Sequence, residues 1–177
     1  HGMGFIRIGT NVTEVAASEK FVERAKKHGM YVSANFMKSY VLPPAEFAKT
    51  ARQSREYGSD VVCVVDSAGG MLPDELGRYV DAVRDVTDVA IGFHGHDNLG
   101  LAVANTLHLA RMGIDVVDVT MQGIGRGAGN ASTEMVVLLL RKAGIETGID
   151  IFDVMDLATE QIKPLLTKSG FLRAFCL

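Results

Sequence analysis

The chain has 177 residues, 47% of them hydrophobic and 22% charged, with no Trp and a formal net charge of −3. That is enough for one domain with a proper core, and its scattered Lys and Arg leave no electrostatic footprint for nucleic acid or an anionic membrane. No apolar stretch approaches the roughly 18 residues of a membrane span. Two cysteines, Cys63 inside an apolar run and Cys176 near the C-terminus, have neither metal nor disulfide spacing, which fits a reducing cytoplasm. The chain opens on His1 rather than Met, and the abrupt start before a strand is read as a sign that something lies upstream.

In chain order the residues read as strand 5–10, helix 13–28, strand 31–36, helix 45–57, strand 60–66, helix 74–86, strand 89–94, helix 99–112, strand 116–120 and helix 132–143. The strands are apolar at almost every position, as parallel strands buried on both faces are. The helices repeat apolar residues at three- and four-residue spacing. Four of them stop at a glycine placed for a left-handed cap (Gly29, Gly58, Gly113 and Gly144), and Pro44 and Pro73 stand where a first turn tolerates proline. A last helix, 151–166, carries Pro164, which should kink or end it.

Strand–helix alternation implies a parallel sheet with right-handed crossovers. Five strands suffice for an open doubly wound sheet, whereas a closed barrel needs eight. The strand ends argue for the barrel. No G-x-G-x-x-G follows the first strand, and polar residues crowd the C-terminal ends of several strands: Asn11, Lys38, Asp66-Ser67, the 94–98 segment and the 122–130 segment. Chemistry spread over many strand ends is barrel-like.

The strongest chemical signal is His94-Gly95-His96, closing the apolar run 89–93 and followed by Asp97 and Asn98. Residues two apart on a strand share a face, so two imidazoles converge at a strand end, half of a divalent metal's coordination sphere. Asp66 and Ser67, followed by Ala68-Gly69-Gly70, offer a carboxylate and a hydroxyl beside a backbone that a small acidic ligand can approach, or else a plain turn. The loop Gly123-Ile124-Gly125-Arg126-Gly127-Ala128-Gly129-Asn130 could present N–H groups to an anion. It lacks the Gly-Lys-Ser/Thr of a nucleotide loop. Asn130 is placed either to cap the next helix or to reach a ligand. His28 and His108 read as structural, and Arg7, alternating with apolar neighbours, points to a barrel interior where it would need a carboxylate partner.

His94 to Asn105 (HGHDNLGLAVAN) resembles the metal-binding segment of the metal-dependent pyruvate aldolase and acyltransferase superfamily, and Gly125 to Ala131 (GRGAGNA) matches at the expected distance. Arg7 to Glu14 and the Asp66-Ser67-Ala68-Gly69-Gly70 segment favour its 4-hydroxy-2-oxovalerate aldolase branch, since the Claisen-type synthases carry Asp-Thr-Val-Gly at the latter place. The resemblance covers nearly all of residues 5–168. It implies a TIM (β/α)8-type barrel of which this chain holds about five βα units, the family's strands four to eight, over residues 1–148. Residues 149–177 would form a helical extension that starts a communication domain.

The same resemblance implies a divalent ion, Mn²⁺ or Mg²⁺, on His94 and His96. Ser67 and His94 would bind the substrate, and Asp66, Asn98 or Asn130 would be additional site residues. The expected reaction is aldol cleavage of a 4-hydroxy-2-oxo acid to pyruvate and an aldehyde, with an aldehyde dehydrogenase as partner. The family's catalytic Arg, His and Tyr, and its metal-binding Asp, have no counterpart among these residues, so the catalytic residues are unassigned and the missing strands would come from another segment or chain. Two alternatives stay open at this point: an acyltransferase using acetyl-CoA, and a non-catalytic fragment holding half a site.

Overall fold

A computed structural model describes residues 2–169. Its centre is a parallel sheet of five strands: β1 (Phe5–Asn11), β2 (Tyr31–Met37), β3 (Val61–Asp66), β4 (Ala90–Gly95) and β5 (Val116–Asp118). They hydrogen-bond in the order β1-β2-β3-β4-β5, each strand beside its sequence neighbours. A doubly wound sheet reverses its order at a switch point; this one never reverses, which is the succession of a barrel wall. The expectation of five barrel-type βα units is met.

Five helices connect or follow the strands: α1 (Glu19–Lys27), α2 (Pro44–Glu56), α3 (Pro73–Arg84), α4 (Ala102–Arg111) and α5 (Thr133–Lys142). All pack on one face of the sheet. Ala34, Phe36, Val62, Val64, Ile91 and Phe93 point to that face and are buried against Phe47 of α2, Leu76, Val80 and Val83 of α3, and Leu109 of α4. Val32, with Ile6 and Ile8, meets Val22 and Ala25 of α1, while Val117 meets the α4–α5 pair through Ala102, Val136 and Leu140. Burying one such large side chain contributes roughly 1.5–3 kcal/mol, so this convex face carries most of the fold's stability.

The opposite face is concave and polar. The alternation that sends Ile6, Phe36 and Phe93 outward turns Arg7, Ser33, Asn35, Cys63, His94 and Asp118 inward. The curvature is visible in one contact: the Arg7 guanidinium on β1 reaches the Asp118 carboxylate on β5, the far edge of the sheet. The carboxylate partner that Arg7 was expected to need is Asp118.

Several boundaries differ from the sequence reading. The segment 13–28 starts as a 3-10 turn, Val12–Ser18, with Glu14 outside helical dihedrals, and becomes α-helical only at Glu19. Helix α4 begins at Ala102, three residues later than expected, because Gly100 turns left-handed and the Asp97 carboxylate accepts the Ala102 N–H. The fifth strand stops at Asp118, since the Thr120 N–H leaves the sheet to bond the Ala131 carbonyl.

The final helical stretch is not ended by Pro164. Helix α6 (Ile151–Leu157) widens into a π turn over Ala158–Ile162, where the Lys163 N–H bonds the Ala158 carbonyl, and then continues as α7 (Lys163–Ser169). A wider turn makes room for a ring that would otherwise collide with the carbonyl four residues back. Cys63 is buried as expected, whereas Cys176 lies outside the described residues. No helix among the described residues is long and apolar enough to cross a membrane.

Candidate metal and substrate site

At the C-terminal end of the strands lies a cavity of about 460 Å³, lined by residues that include Arg7, Asn35, Lys38, Ser67, His94, His96 and Arg126. Strand ends are where barrels place their chemistry. His94 is paired with Val65 on one side and Asp118 on the other, and His96 follows on the same face. Their rings stand nearly perpendicular with centroids 5.2 Å apart. The sequence places these two imidazoles together and the structure does the same.

His94 Nδ1 is buried and has no hydrogen bond, although Asp118 Oδ2 lies 3.4 Å away. A carboxylate beside one ring nitrogen is the arrangement that fixes a ligating imidazole's tautomer and leaves its other nitrogen for a metal. Asp118 is held in turn by Arg7 and by Asn35 Nδ2 at 3.4 Å. Sequence reading passed over Asp118. The available signal was its inward parity with Val116 on β5; what hid it was the register that sets it opposite His94, a pairing between segments more than twenty residues apart.

The His96 imidazole is held below its usual protonation range, first by burial and then by its neighbours His94 and Arg126; the Gly129 and Arg126 carbonyls oppose the shift. A neutral imidazole is the form that binds metal. His96 also pairs as an isolated bridge with Asn130, whose Oδ1 is buried without any donor. Two adjacent imidazoles suit a divalent transition ion. No group of three His, Cys, Asp or Glu side chains able to hold a metal occurs among the described residues, so the rest of a coordination sphere would come from beyond these side chains.

Ser67 borders the same cavity. Its Oγ accepts the Lys38 N–H at 2.9 Å, which leaves the hydroxyl proton free to donate to a ligand oxygen. Lys38 adopts a left-handed backbone, φ 59°, a conformation that costs a residue with a Cβ about 1–2 kcal/mol. Arg126 Nη2 donates to the Ser67 carbonyl at 2.9 Å.

The other proposed residues do structural work. Asp66 is 1% exposed, and its carboxylate accepts the Gly70 and Met71 N–H groups at 3.2 and 2.9 Å. By parity it faces the convex side with Val62 and Val64, so it anchors the loop instead of facing the cavity. Asn98 has both ends of its amide engaged, donating to the Ala68 carbonyl and accepting the Ala128 N–H, and so clamps two loops together. Gly69 lies so close to the next strand's end that a Cβ would come within 2.6 Å of the His96 carbonyl oxygen. Much of the glycine-rich loop's backbone is bonded to protein: the N–H groups of Gly123, Ile124 and Ala128 to Ala131 all have protein acceptors. These bonds brace the loop against the site. Asn130 does not cap α5, because Ser132 does, accepting the Met135 N–H.

The HMGL-like family profile matches residues 6–160. The chain belongs to that family. It is 40% identical over 170 residues to a 4-hydroxy-2-oxovalerate aldolase of Chloroflexus aurantiacus, covering 96% of this chain and 50% of that protein. A 4-hydroxy-2-oxovalerate aldolase of Pelotomaculum thermopropionicum is 41% identical over 167 residues, covering 94% of this chain and 49% of that protein. The chain therefore spans about half the length of the curated relatives it matches. Among solved structures, the HMG-CoA lyase of Bacillus subtilis superposes with a TM-score of 0.83 at 21% identity, over 96% of this chain and 64% of that one. The carboxyl transferase domain of Rhizobium etli pyruvate carboxylase gives 0.78 at 20% identity, over 89% and 28%. At such identities these two speak for the fold alone. The resemblance drawn from HGHDN and GRGAGN leads to the same family.

Proposed function

We propose that this chain supplies the metal-binding half of an aldolase that cleaves a 4-hydroxy-2-oxo acid to pyruvate and an aldehyde. The observation that carries the reading is the His94–His96 pair, side by side in a cavity that also holds the Ser67 hydroxyl. His94 and His96 would hold Mn²⁺ or Mg²⁺, with Asn130 as a further donor. Such an ion, when bound, is a Lewis acid toward a 2-oxo group and its carboxylate. Relatives named as 4-hydroxy-2-oxovalerate aldolases support the substrate class.

In this reading Ser67 donates its hydroxyl proton to the substrate's 2-oxo or carboxylate oxygen, and Asp118 orients His94 from behind. Cleavage breaks the C3–C4 bond. The 4-hydroxyl loses its proton to a base, C4 departs as the aldehyde carbonyl, and the bonding pair remains on C3 as a pyruvate enolate. Protonation at C3 then gives pyruvate. Arg126, whose guanidinium is held at the Ser67 carbonyl, favours the charge that develops on the enolate oxygen.

The base, and the strands that cover the free edges of β1 and β5, would come from another segment or chain. An aldehyde dehydrogenase that accepts the second product belongs to the same proposal, as does a cytoplasmic location, both on family resemblance. Release of pyruvate from 4-hydroxy-2-oxopentanoate in the presence of Mn²⁺, measured on the intact protein, tests the reading. Turnover should vanish in His94→Ala with the fold retained; undiminished turnover in that variant would overturn it.

A further inference from the structure

Three stretches of chain meet beside the cavity: the 67–70 loop, the 96–99 segment and the glycine-rich loop. Backbone bonds join them, with the Leu99 N–H on the Gly69 carbonyl at 3.1 Å and the Asp97 N–H on the Gly129 carbonyl at 2.9 Å. Asn98 stands between those two bonds, and its side chain repeats both links. Its Nδ2 donates to the Ala68 carbonyl at 2.8 Å, and its Oδ1 accepts the Ala128 N–H at 3.1 Å.

The two alanines that Asn98 holds lie where the loops are least constrained. Ala68 precedes Gly69 at φ 62°, and Ala128 lies between Gly127 at φ 63° and Gly129 at φ 95°. Glycine has the widest choice of backbone conformation, so neither loop is fixed by its own sequence and a cross-link from outside must set it. Each loop also carries a group that the cleavage uses. Ser67 adjoins Ala68, while Arg126 stands two residues before Ala128 and donates to the Ser67 carbonyl at 2.9 Å. Both arms of Asn98 therefore bear on Ser67, one through its chain neighbour and the other through the loop that brings Arg126 to it.

We propose that Asn98 is a positioning residue for the cleavage, fixing the Ser67 hydroxyl and the Arg126 guanidinium relative to His96 on its own segment. The inference rests on the aldolase reading and deepens it. With both ends of its amide engaged by backbone, Asn98 acts through these residues and not on the substrate. A misplacement of about 1 Å can cost roughly a hundredfold in rate, so a clamp beside three left-handed glycines matters to catalysis beyond the two hydrogen bonds it makes.

The test is pyruvate release from 4-hydroxy-2-oxopentanoate by the intact protein with Mn²⁺, alongside calorimetric titration of Mn²⁺ and chemical denaturation. Asn98→Ala leaves the flanking backbone bonds and both imidazoles in place, so Mn²⁺ affinity should stay close to that of the wild type while kcat falls about tenfold or more. Because Asn98 acts through Ser67, the double variant Asn98→Ala, Ser67→Ala should lose clearly less than the product of the two single losses. Should Asn98→Ala fail to fold, Asn98→Asp, which keeps an acceptor for the Ala128 N–H, carries the same comparison. A clamp of merely structural value would lower the denaturation midpoint and leave kcat of the folded enzyme unchanged. That result, full multiplication of the two losses, or a loss of Mn²⁺ binding overturns the Asn98 inference and leaves the aldolase reading standing. A wild-type protein that releases no pyruvate overturns both.

Discussion

The two faces of the sheet are built from the same strands and follow opposite rules. On the convex face Ala34, Phe36, Val62, Val64 and Phe93 are buried and apolar, and helices cover them. On the concave face the alternate residues include Arg7, Ser33, Asn35, His94 and Asp118, where Ser33 bonds Asn35 and Asp118 meets Arg7, Asn35 and His94. Stability is concentrated on one face and chemistry on the other, so neighbouring residues in the chain should respond to mutation in unlike ways.

Phe93 and His94 give the sharpest contrast. Phe93→Ala removes a fully buried ring and should cost about 3–5 kcal/mol in chemical denaturation. His94→Ala should leave the denaturation midpoint close to that of the wild type while abolishing Mn²⁺-dependent cleavage. Equal losses of stability in the two variants would show that the concave face is a core and not a site.

Asp66 tests the border between the faces. Its carboxylate holds two backbone N–H groups in a buried place, and hydrogen bonds to a charged group are worth about 1.5–3 kcal/mol. Asp66→Asn should therefore lower stability by about that much. A variant as stable as wild type but unable to bind Mn²⁺ would return Asp66 to the ligand set.

The smallest effect is a proton. An imidazole in the unfolded chain protonates below about pH 6.5, whereas folded His96 resists until lower pH because burial, His94 and Arg126 all disfavour its charge. Between those points the unfolded chain holds more protons, so stability falls as pH drops below about 6.5 and levels off once folded His96 has titrated. Arg126→Ala should move the His96 titration, followed by NMR, back upward. An unmoved titration would mean that burial and His94 set it without Arg126.

How much of this was legible beforehand divides along the same line. The convex face was readable because it is local: apolar runs mark the strands, and three- and four-residue spacing marks the helices that cover them. His94 and His96 were readable because two-residue parity is also local. Asp118 was not, since its significance lies in register with β4 and in contact with Arg7 at the opposite edge. Asp66 and Asn98 show the converse limit. Their residue types suit a ligand set, yet unpaired backbone groups in the nearby loops claim both side chains, and no spacing rule reveals which demand prevails. The π turn before Pro164 was invisible for a similar reason, because a proline states that a helix must yield but not how.

The unbroken succession β1-β2-β3-β4-β5 bears on how the chain is made. From β2 onward, each strand emerging from the ribosome finds a hydrogen-bonding partner already in place, one helix behind it. The sheet can grow by accretion, with only short loops to close at each step. The cavity is the exception. Arg7 on β1 is synthesised four strands before its counter-ion Asp118 on β5, so the inward-facing arginine lacks that partner until the fifth strand is laid down.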